Sequence, residues 1–137
     1  MDQSRLEAFS AQQPVFSKLL GAKMIHASTE KLEAEMFVRE DLTNPRGILQ
    51  GGALMALADN LGGAATFINL PEGAATTTIE SKTNFFSAVP LGETVRAECT
   101  PLHRGRTTMV WETRIFRHDG KLAAVVTQTQ LVMTPQA

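Results

Sequence analysis

Cysteine is almost absent from the sequence, and this excludes two classes of small protein. The single cysteine, Cys99, cannot form a disulfide within the chain, and no Cys or His pair has the spacing of a zinc site. We therefore expect neither a disulfide-stapled fold nor a metal-stabilised one, and a reducing compartment is the natural environment. The N-terminus carries Asp2 and lacks the apolar segment of a secretory signal, which predicts a cytoplasmic protein.

An excess of charge of either sign is also absent. The chain has 13 Lys and Arg against 14 Asp and Glu, a formal charge of -1. General electrostatics therefore give no affinity for nucleic acid or an anionic membrane, and an anionic ligand needs a local basic patch. Of the 137 residues, 43% are hydrophobic and 20% charged, which is typical of a globular chain. We expect one domain over residues 1–137, without a linker or an internal repeat.

The longest apolar stretch, residues 47–70, favours a buried helix over a membrane span. Asp59 lies near its middle beside Asn60 and would cost about 2.5 to 3.5 kcal/mol inside a bilayer. The pattern predicts a helix over residues 51–68, because apolar side chains recur at helical spacing, namely Leu54, Leu57, Ala58, Leu61, Ala65 and Ile68.

The remaining segments predict an α+β fold. A short helix over residues 14–20, begun by Pro14 and ended by Gly21, precedes an alternating strand over residues 31–38 and a loop over residues 40–50. After the long helix, four antiparallel strands are expected over residues 75–86, 93–102, 107–117 and 121–133, with turns at 89–92, 103–106 and 118–120. The expected architecture is a meandering, curved sheet wrapped around one central helix.

Asp59 is the most informative polar residue of the long helix. Its helical neighbours are the small residues Gly52, Ala56, Gly63 and Thr66, which leave room for another backbone, a partner subunit or a ligand. The alternative is that Asp59 faces water on the polar side of an amphipathic helix.

Gly51 and Gly52 lie where the long helix begins. First-turn amides lack intrahelical acceptors, and glycine lets a carbonyl oxygen approach them, which is the chemistry of an oxyanion hole. The alternative is a tight turn into the helix. Asn44 can donate and accept hydrogen bonds just before it, or form an Asx turn with Pro45.

Nucleophilic catalysis by serine or cysteine is weakly supported. The sequence has no Gly-x-Ser-x-Gly elbow, and Cys99 lies in mid-strand without an activating motif. The three histidines are scattered and are interpreted as surface residues, namely His26, His103 and His118.

One spaced motif runs Asn44-x-x-Gly47-x-x-Gln50-Gly51-Gly52-x-x-x-x-Leu57-Ala58-Asp59. It resembles the signature of a known family, the hotdog-fold acyl-CoA thioesterases of the PaaI-like and 4-hydroxybenzoyl-CoA type. The resemblance covers nearly the whole chain and continues through Thr77-Thr78, Asn84-Phe85-Phe86, Leu91-Gly92-Glu93 and His103-Arg104-Gly105-Arg106.

The resemblance implies a role for each matching residue. Asp59 matches the general base or nucleophile, and Gly51 matches the amide that polarises the thioester carbonyl. Asn44 matches the side chain that places the attacking water or the carbonyl, and Thr78 matches a hydroxyl that lines the site in some members. Gln50 departs from the pattern, because most PaaI-like members have His there, so that no titrating imidazole is available at this position.

The same resemblance implies the partners. It predicts a homodimer in which Asp59 of one subunit faces Gly51 of the other, assembling further into a homotetramer. We expect acyl-CoA as the substrate and no metal or redox cofactor. Gln50 and Gly52 are assigned to substrate binding, and the CoA phosphates are expected to contact Arg104 and Arg106, with Arg46 behind them. The alternative for these arginines is solvation.

The expected function is hydrolysis of an acyl-CoA to the free acid and CoA. One alternative is a noncatalytic hotdog module that binds acyl-CoA or an aromatic acid. A hydratase or dehydratase is a third possibility, but that chemistry generally uses a histidine as well as a carboxylate, and no histidine stands near the motif.

Overall fold

The structure, a computed structural model, describes residues 1–135 of the chain. A short 3-10 helix, Glu40–Leu42, lies in the loop before the long helix. No helix of residues 1–135 combines the length and the apolar character needed to cross a membrane. The helices and strands are α1 Gln3–Ala11, α2 Val15–Leu20, β1 Lys23–Ala27, β2 Leu32–Phe37, α3 Gly51–Asn69, β3 Ala75–Phe85, β4 Thr94–Arg104, β5 Thr108–Phe116 and β6 Leu122–Met133.

Within the described residues, six strands form one antiparallel sheet in the order β1-β2-β4-β5-β6-β3. The predicted meander is therefore correct for β4, β5 and β6 but wrong for β3. This strand does not pair with β4, which follows it in sequence, and instead pairs with β6 at the far edge of the sheet. As a result Thr78 lies opposite Gln130, and the outer edge of β3 has no neighbouring strand within residues 1–135.

The core lies between α3 and the inner face of the sheet, as the helical pattern predicts. Trp111 of β5 is fully buried, and its Nε1–H donates to Thr66 Oγ1 at 2.8 Å. The Thr66 hydroxyl in turn donates to the carbonyl of Gly62 at 2.8 Å. Thr66 therefore faces the core, and the prediction that it shares an open stripe with Asp59 is wrong. The buried apolar side chains of α3 are Leu54, Leu57, Ala58, Leu61, Ala64 and Ala65.

The sequence pattern does not predict α1 and β1, and each has a physical reason. α1 buries one residue, Leu6, and so has no apolar stripe. β1 has an irregularity between Met24 and His26, which breaks the alternation of buried and exposed side chains. Pro14 caps α2 rather than occupying its first turn, whereas Gly21 ends that helix as predicted, in the left-handed conformation at φ 76°.

Candidate functional site

Asp59 lies midway along α3 with its side chain exposed, and one of its carboxylate oxygens is held by two donors. Oδ1 accepts a hydrogen bond from the Thr78 hydroxyl at 2.8 Å and another from Nε2 of Gln128 at 3.0 Å. Oδ2 makes no hydrogen bond to any group of residues 1–135. The carboxylate is therefore fixed through one oxygen, and the other remains available for chemistry.

A second layer of hydrogen bonds sets the direction of the Thr78 hydroxyl. Thr78 Oγ1 accepts a hydrogen bond from Nε2 of Gln130 at 2.6 Å, and Oε1 of Gln130 accepts one from the Thr76 hydroxyl at 3.0 Å. Because Gln130 donates to Thr78, the single hydroxyl proton of Thr78 is directed at Asp59. The side chains of β3 and β6 thus form a continuous polar network that ends on the carboxylate.

Asp59 faces a cavity of about 410 Å³ between α3, β3 and the connection from α1 to α2. A volume of this size is ordinary for a small-molecule site. Apolar side chains line part of it, namely Phe9, Pro14, Ala64 and Phe67. Polar side chains line the rest, namely Gln12, Gln13, Asn60, Thr76, Thr77, Thr78 and Gln130.

The amides at the start of α3 are free, as an oxyanion site requires. The first hydrogen bond of this turn runs from Ala53 N–H to the Gln50 carbonyl at 3.0 Å. Within residues 1–135 the N–H groups of Gly51 and Gly52 have no acceptor. Phe85 packs beside Gly51, where a Cβ atom would lie 3.0 Å from the ring of Phe85, whereas a Cβ at Gly52 would meet no atom of residues 1–135 within 4 Å.

Asn44 and Gln50 lie with Gly52 along a groove of about 440 Å³ at this end of the helix. Asn44 forms the Asx turn that the sequence analysis gives as its alternative role. Its Oδ1 accepts hydrogen bonds from the N–H groups of Arg46 at 2.9 Å and Ile48 at 3.3 Å. Its Nδ2 has no acceptor among the described residues and is free to donate. Gln50 is exposed and occupies the N-cap position of α3 without a side-chain cap hydrogen bond.

One chain does not bring the two halves of the predicted site together. Asp59 follows Gly51 by eight residues on the same helix, which separates them by about 12 Å along the axis. A substrate carbonyl on the Gly51 amide is thus out of reach of the Asp59 carboxylate of the same chain. If both act on one substrate, the second half of the site has to come from another copy.

The three predicted arginines differ in their surroundings. Arg104 is the last residue of β4, so the turn begins at residue 105, two residues later than predicted. Its guanidinium forms an ion pair with Glu30 at 2.8 Å and donates to the carbonyl of Thr29 at 3.1 Å. Arg46 and Arg106 are exposed and have no ion-pair partner among the described residues. Arg104 is therefore partly neutralised, whereas the other two are free to meet an anion.

The cysteine and the histidines also lie where the sequence analysis expects them. Cys99 is fully buried in β4, and burial raises the pKa of its thiol to about 12, so it is no nucleophile at neutral pH. The histidines are exposed, as expected. Among residues 1–135 no group of three or more metal-ligating side chains comes together.

Gln128 and Gln130 are the site residues that the sequence analysis missed. A signal for them exists, because they occupy alternate positions between Val126 and Val132 of β6 and so share the inward face with apolar residues. Two glutamines on a core-facing register are unusual and point to a buried polar network. Phe9 and Gln13 carried no comparable signal, since α1 itself was not predicted.

Comparison with known protein families gives a consistent match. A family described as "Thioesterase superfamily" matches residues 46–124, more than half of the chain. A curated relative, the proofreading thioesterase EntH of Cronobacter turicensis, is 35% identical over 102 residues, which are 74% of this chain and 74% of the relative.

Solved structures agree with this match. A thioesterase from Haemophilus influenzae superimposes with a TM-score of 0.88 at 29% identity, over 94% of this chain and 90% of its own. The E. coli PaaI protein, from the phenylacetic acid degradation operon, superimposes with a TM-score of 0.85 over 97% of this chain and 94% of its own. Its identity is 20%, and that likeness shows the fold alone. The predicted α+β hotdog fold is confirmed.

Proposed function

The chain belongs to the thioesterase superfamily and is a thioester hydrolase, and we propose that its substrate is an acyl-CoA and that Asp59 is its catalytic carboxylate. The observation that carries the proposal is the geometry of this side chain. Asp59 faces the cavity of about 410 Å³ with Oδ1 held by Thr78 and Gln128 and with Oδ2 free. A carboxylate in the cavity wall, with one oxygen held and the other free, suits attack on a thioester whose acyl group fills that cavity.

Two routes from this geometry lead to the same products. As a general base, Asp59 takes a proton from a water molecule, whose oxygen bonds to the thioester carbon. As a nucleophile, Oδ2 itself bonds to that carbon, and water later hydrolyses the resulting anhydride. In both routes the carbon–sulfur bond breaks, the electron pair leaves with sulfur, and a proton converts the thiolate to free CoA. The carbonyl oxygen gains negative charge, which the free Gly51 amide stabilises.

We propose a homodimer as the unit that completes this site. The separation of about 12 Å between Asp59 and Gly51 along one helix supports a shared site. The open edge of β3 supports the same assembly, because a long strand with unpaired backbone groups is a ready partner for another strand. In such a dimer Asn44, Gln50 and Gly52 belong to the same half-site as the Gly51 amide. A tetramer and a cytoplasmic location stay predictions from the sequence.

The nucleotide end of the substrate carries phosphates that need cations, and two of the three predicted arginines are free to supply them within residues 1–135. Arg106 and Arg46 are exposed without an ion pair among the described residues, and we assign the CoA phosphates to them first. Arg104 contributes less, because Glu30 already neutralises part of its charge.

The test is thiol release from a panel of acyl-CoA substrates by wild type and by Asp59→Asn. The amide is the same size as the carboxylate but can neither take a proton nor attack, so we expect kcat to fall by about 100-fold or more. Asp119→Asn is the matched control, since Asp119 lies exposed in the turn between β5 and β6. Wild-type turnover in Asp59→Asn would remove Asp59 from the mechanism, and absence of thiol release from every substrate would reject acyl-CoA.

Subunit mixing tests the shared site. Asp59→Asn removes one half-site, and Gly51→Val blocks the other by placing a side chain against Phe85. Each variant alone is expected to be inactive, whereas exchanged subunits regain one intact site per heterodimer, about a quarter of wild-type activity after statistical mixing. Verified exchange without any recovery would place both groups in one subunit.

A further inference from the structure

Gln128 is a buried polar residue that reaches the carboxylate from the core side. It belongs to the inward face of β6 and is 1% exposed. Its Nε2 donates to Asp59 Oδ1 at 3.0 Å and lies 3.4 Å from the Asp59 carbonyl oxygen. Both acceptors lack protons, so the carboxamide has to present its nitrogen to the helix.

Gly62 makes the approach of Gln128 possible. A Cβ atom at position 62 would lie 2.1 Å from Oε1 and 2.3 Å from Cδ of Gln128. Any other residue would therefore push the carboxamide away from α3. The next residue, Gly63, shows that this close approach is local, because a Cβ there would meet no atom of the described part of the chain within 4 Å.

Neither the glycine at position 62 nor the buried carboxamide of Gln128 stabilises the folded state. Glycine in the interior of a helix is less stable than alanine. The Oε1 atom of Gln128 is buried and has no hydrogen-bond donor among residues 1–135, and a buried carbonyl oxygen without a partner destabilises the folded state. Both unfavourable features lie at the contact between Gln128 and α3, beside the Asp59 carboxylate. Their coincidence indicates a functional role for this contact.

We propose that Gln128, admitted by the missing side chain at Gly62, is a positioning residue for the reaction of Asp59. It holds Oδ1 together with Thr78 and so directs Oδ2 toward the substrate carbonyl. Both donors bind the same oxygen, which fixes the rotation of the carboxylate about its terminal torsion. The proposal rests on the proposed function, because it requires Asp59 to be the reacting group.

The first experiment is Gln128→Met, which keeps the length of the side chain and removes the donor. We expect kcat to fall about tenfold while KM stays within about twofold, since the hydrogen bond orients the reacting group rather than the substrate. We also expect the melting temperature to stay the same or rise, because the unpaired Oε1 is gone. A wild-type kcat, or a fall in kcat matched by a fall in melting temperature, would overturn the proposal.

The second experiment tests the role of Gly62 by a double-mutant cycle. Gly62→Ala in the wild-type background displaces Gln128 and is expected to lower kcat by a similar factor. In a Gln128→Ala background the same change has open space, so it should leave kcat unchanged and raise the melting temperature. Gly63→Ala is the control, and it should raise the melting temperature equally in both backgrounds. Only the melting temperature is compared for this variant, because Gly63 lines the cavity. Equal effects of Gly62→Ala on kcat in both backgrounds would contradict the proposal.

Combination with Asp59→Asn separates this inference from the proposed function. If Gln128 acts through the carboxylate, Gln128→Met causes no further loss in the residual activity of Asp59→Asn. A further tenfold loss would reject the positioning role while leaving Asp59 in place. Full activity of Asp59→Asn itself would reject the proposed function.

Discussion

The two walls of the Asp59 cavity are built in different ways. The sheet-side wall comes from β3 and β6, where Gln130 is 1% exposed and hydrogen bonds link Thr76 to Asp59 through Gln130 and Thr78. The N-terminal wall comes from the end of α1 and the connection to α2, and α1 is anchored by one buried side chain, Leu6.

This difference separates two tasks of the site. The sheet-side wall fixes the carboxylate, because its side chains are held by the core and by one another. The N-terminal wall contributes Phe9 and Pro14 to the surface that an acyl group would contact, on a segment with few buried contacts. Changes in the sheet-side wall should therefore act on kcat, and changes in the N-terminal wall should act on KM.

Among changes to the two walls, the largest effect is expected from Thr78→Val in the sheet-side wall. The change removes one of the two donors to Asp59 Oδ1 and leaves Nε2 of Gln130 without its acceptor. A hydrogen bond to a charged group is worth about 1.5 to 3 kcal/mol, and we expect kcat to fall about tenfold with KM nearly unchanged. Steady-state kinetics of thiol release measure both constants. Thr78→Ser, which keeps the hydroxyl, should retain most of the turnover, and equal losses in the two variants would contradict the hydrogen-bond explanation.

A smaller effect is expected from Phe9→Ala in the N-terminal wall. Loss of the ring removes apolar contact with the acyl group, so KM should rise about fivefold with kcat within about twofold of wild type. The matched control is Val15→Ala, because Val15 is 82% exposed and does not line the cavity. A fall in kcat with no change in KM would contradict the assignment of substrate binding to the N-terminal wall.

The contrast between held and free groups extends to the arginines. Arg106→Ala should raise the KM for a full acyl-CoA about threefold at low salt, whereas Arg104→Ala should have less effect because Glu30 neutralises it. The Arg106 effect should shrink as salt is added and disappear with a pantetheine thioester that lacks the nucleotide. The same rise in KM on both substrates would assign Arg106 to something other than phosphate.

The smallest effect is expected from thiol labelling of Cys99. This residue lies in β4, so its labelling measures opening of the sheet rather than any change in the cavity. Burial raises the pKa of this thiol to about 12, so it is protonated at neutral pH, and only above that pKa does the reactive thiolate predominate. We expect no reaction of the folded protein with a disulfide reagent at pH 8 and one equivalent after denaturation. Protease cleavage of the connection between α1 and α2 should precede any labelling of Cys99. Rapid labelling of the native protein would show that the sheet opens as readily as the N-terminal segment.

Much of the fold is predictable from local pattern. α3 and the strands β2, β4, β5 and β6 follow directly from helical or alternating spacing, because each buries one regular face. The pairing of β3 with β6 is not predictable in this way, since β4 and β5 separate the two strands in sequence and local spacing does not show which edge β3 joins. α1 and β1 lack a regular buried face and therefore leave no pattern to read.

The candidate site shows the same division. The sequence points to Asp59 because small residues surround it on the helix, and to Gly51 because it begins that helix. The contact between Gln128 and Asp59 joins residues 69 positions apart, and it requires knowing that Gly62 leaves space between β6 and α3. Such a contact depends on tertiary packing, and no local rule predicts it.

β3 supplies Thr78 to the carboxylate and also forms the open edge of the sheet, and this double use has a thermodynamic consequence. If a second copy pairs along that edge, the formation constant of the dimer and the affinity for substrate become reciprocal quantities. Substrate that binds the dimer more tightly than the monomer would strengthen association by the same factor. Specific activity would then fall on dilution and recover as substrate draws the subunits together, so that turnover per chain is governed partly by mass action.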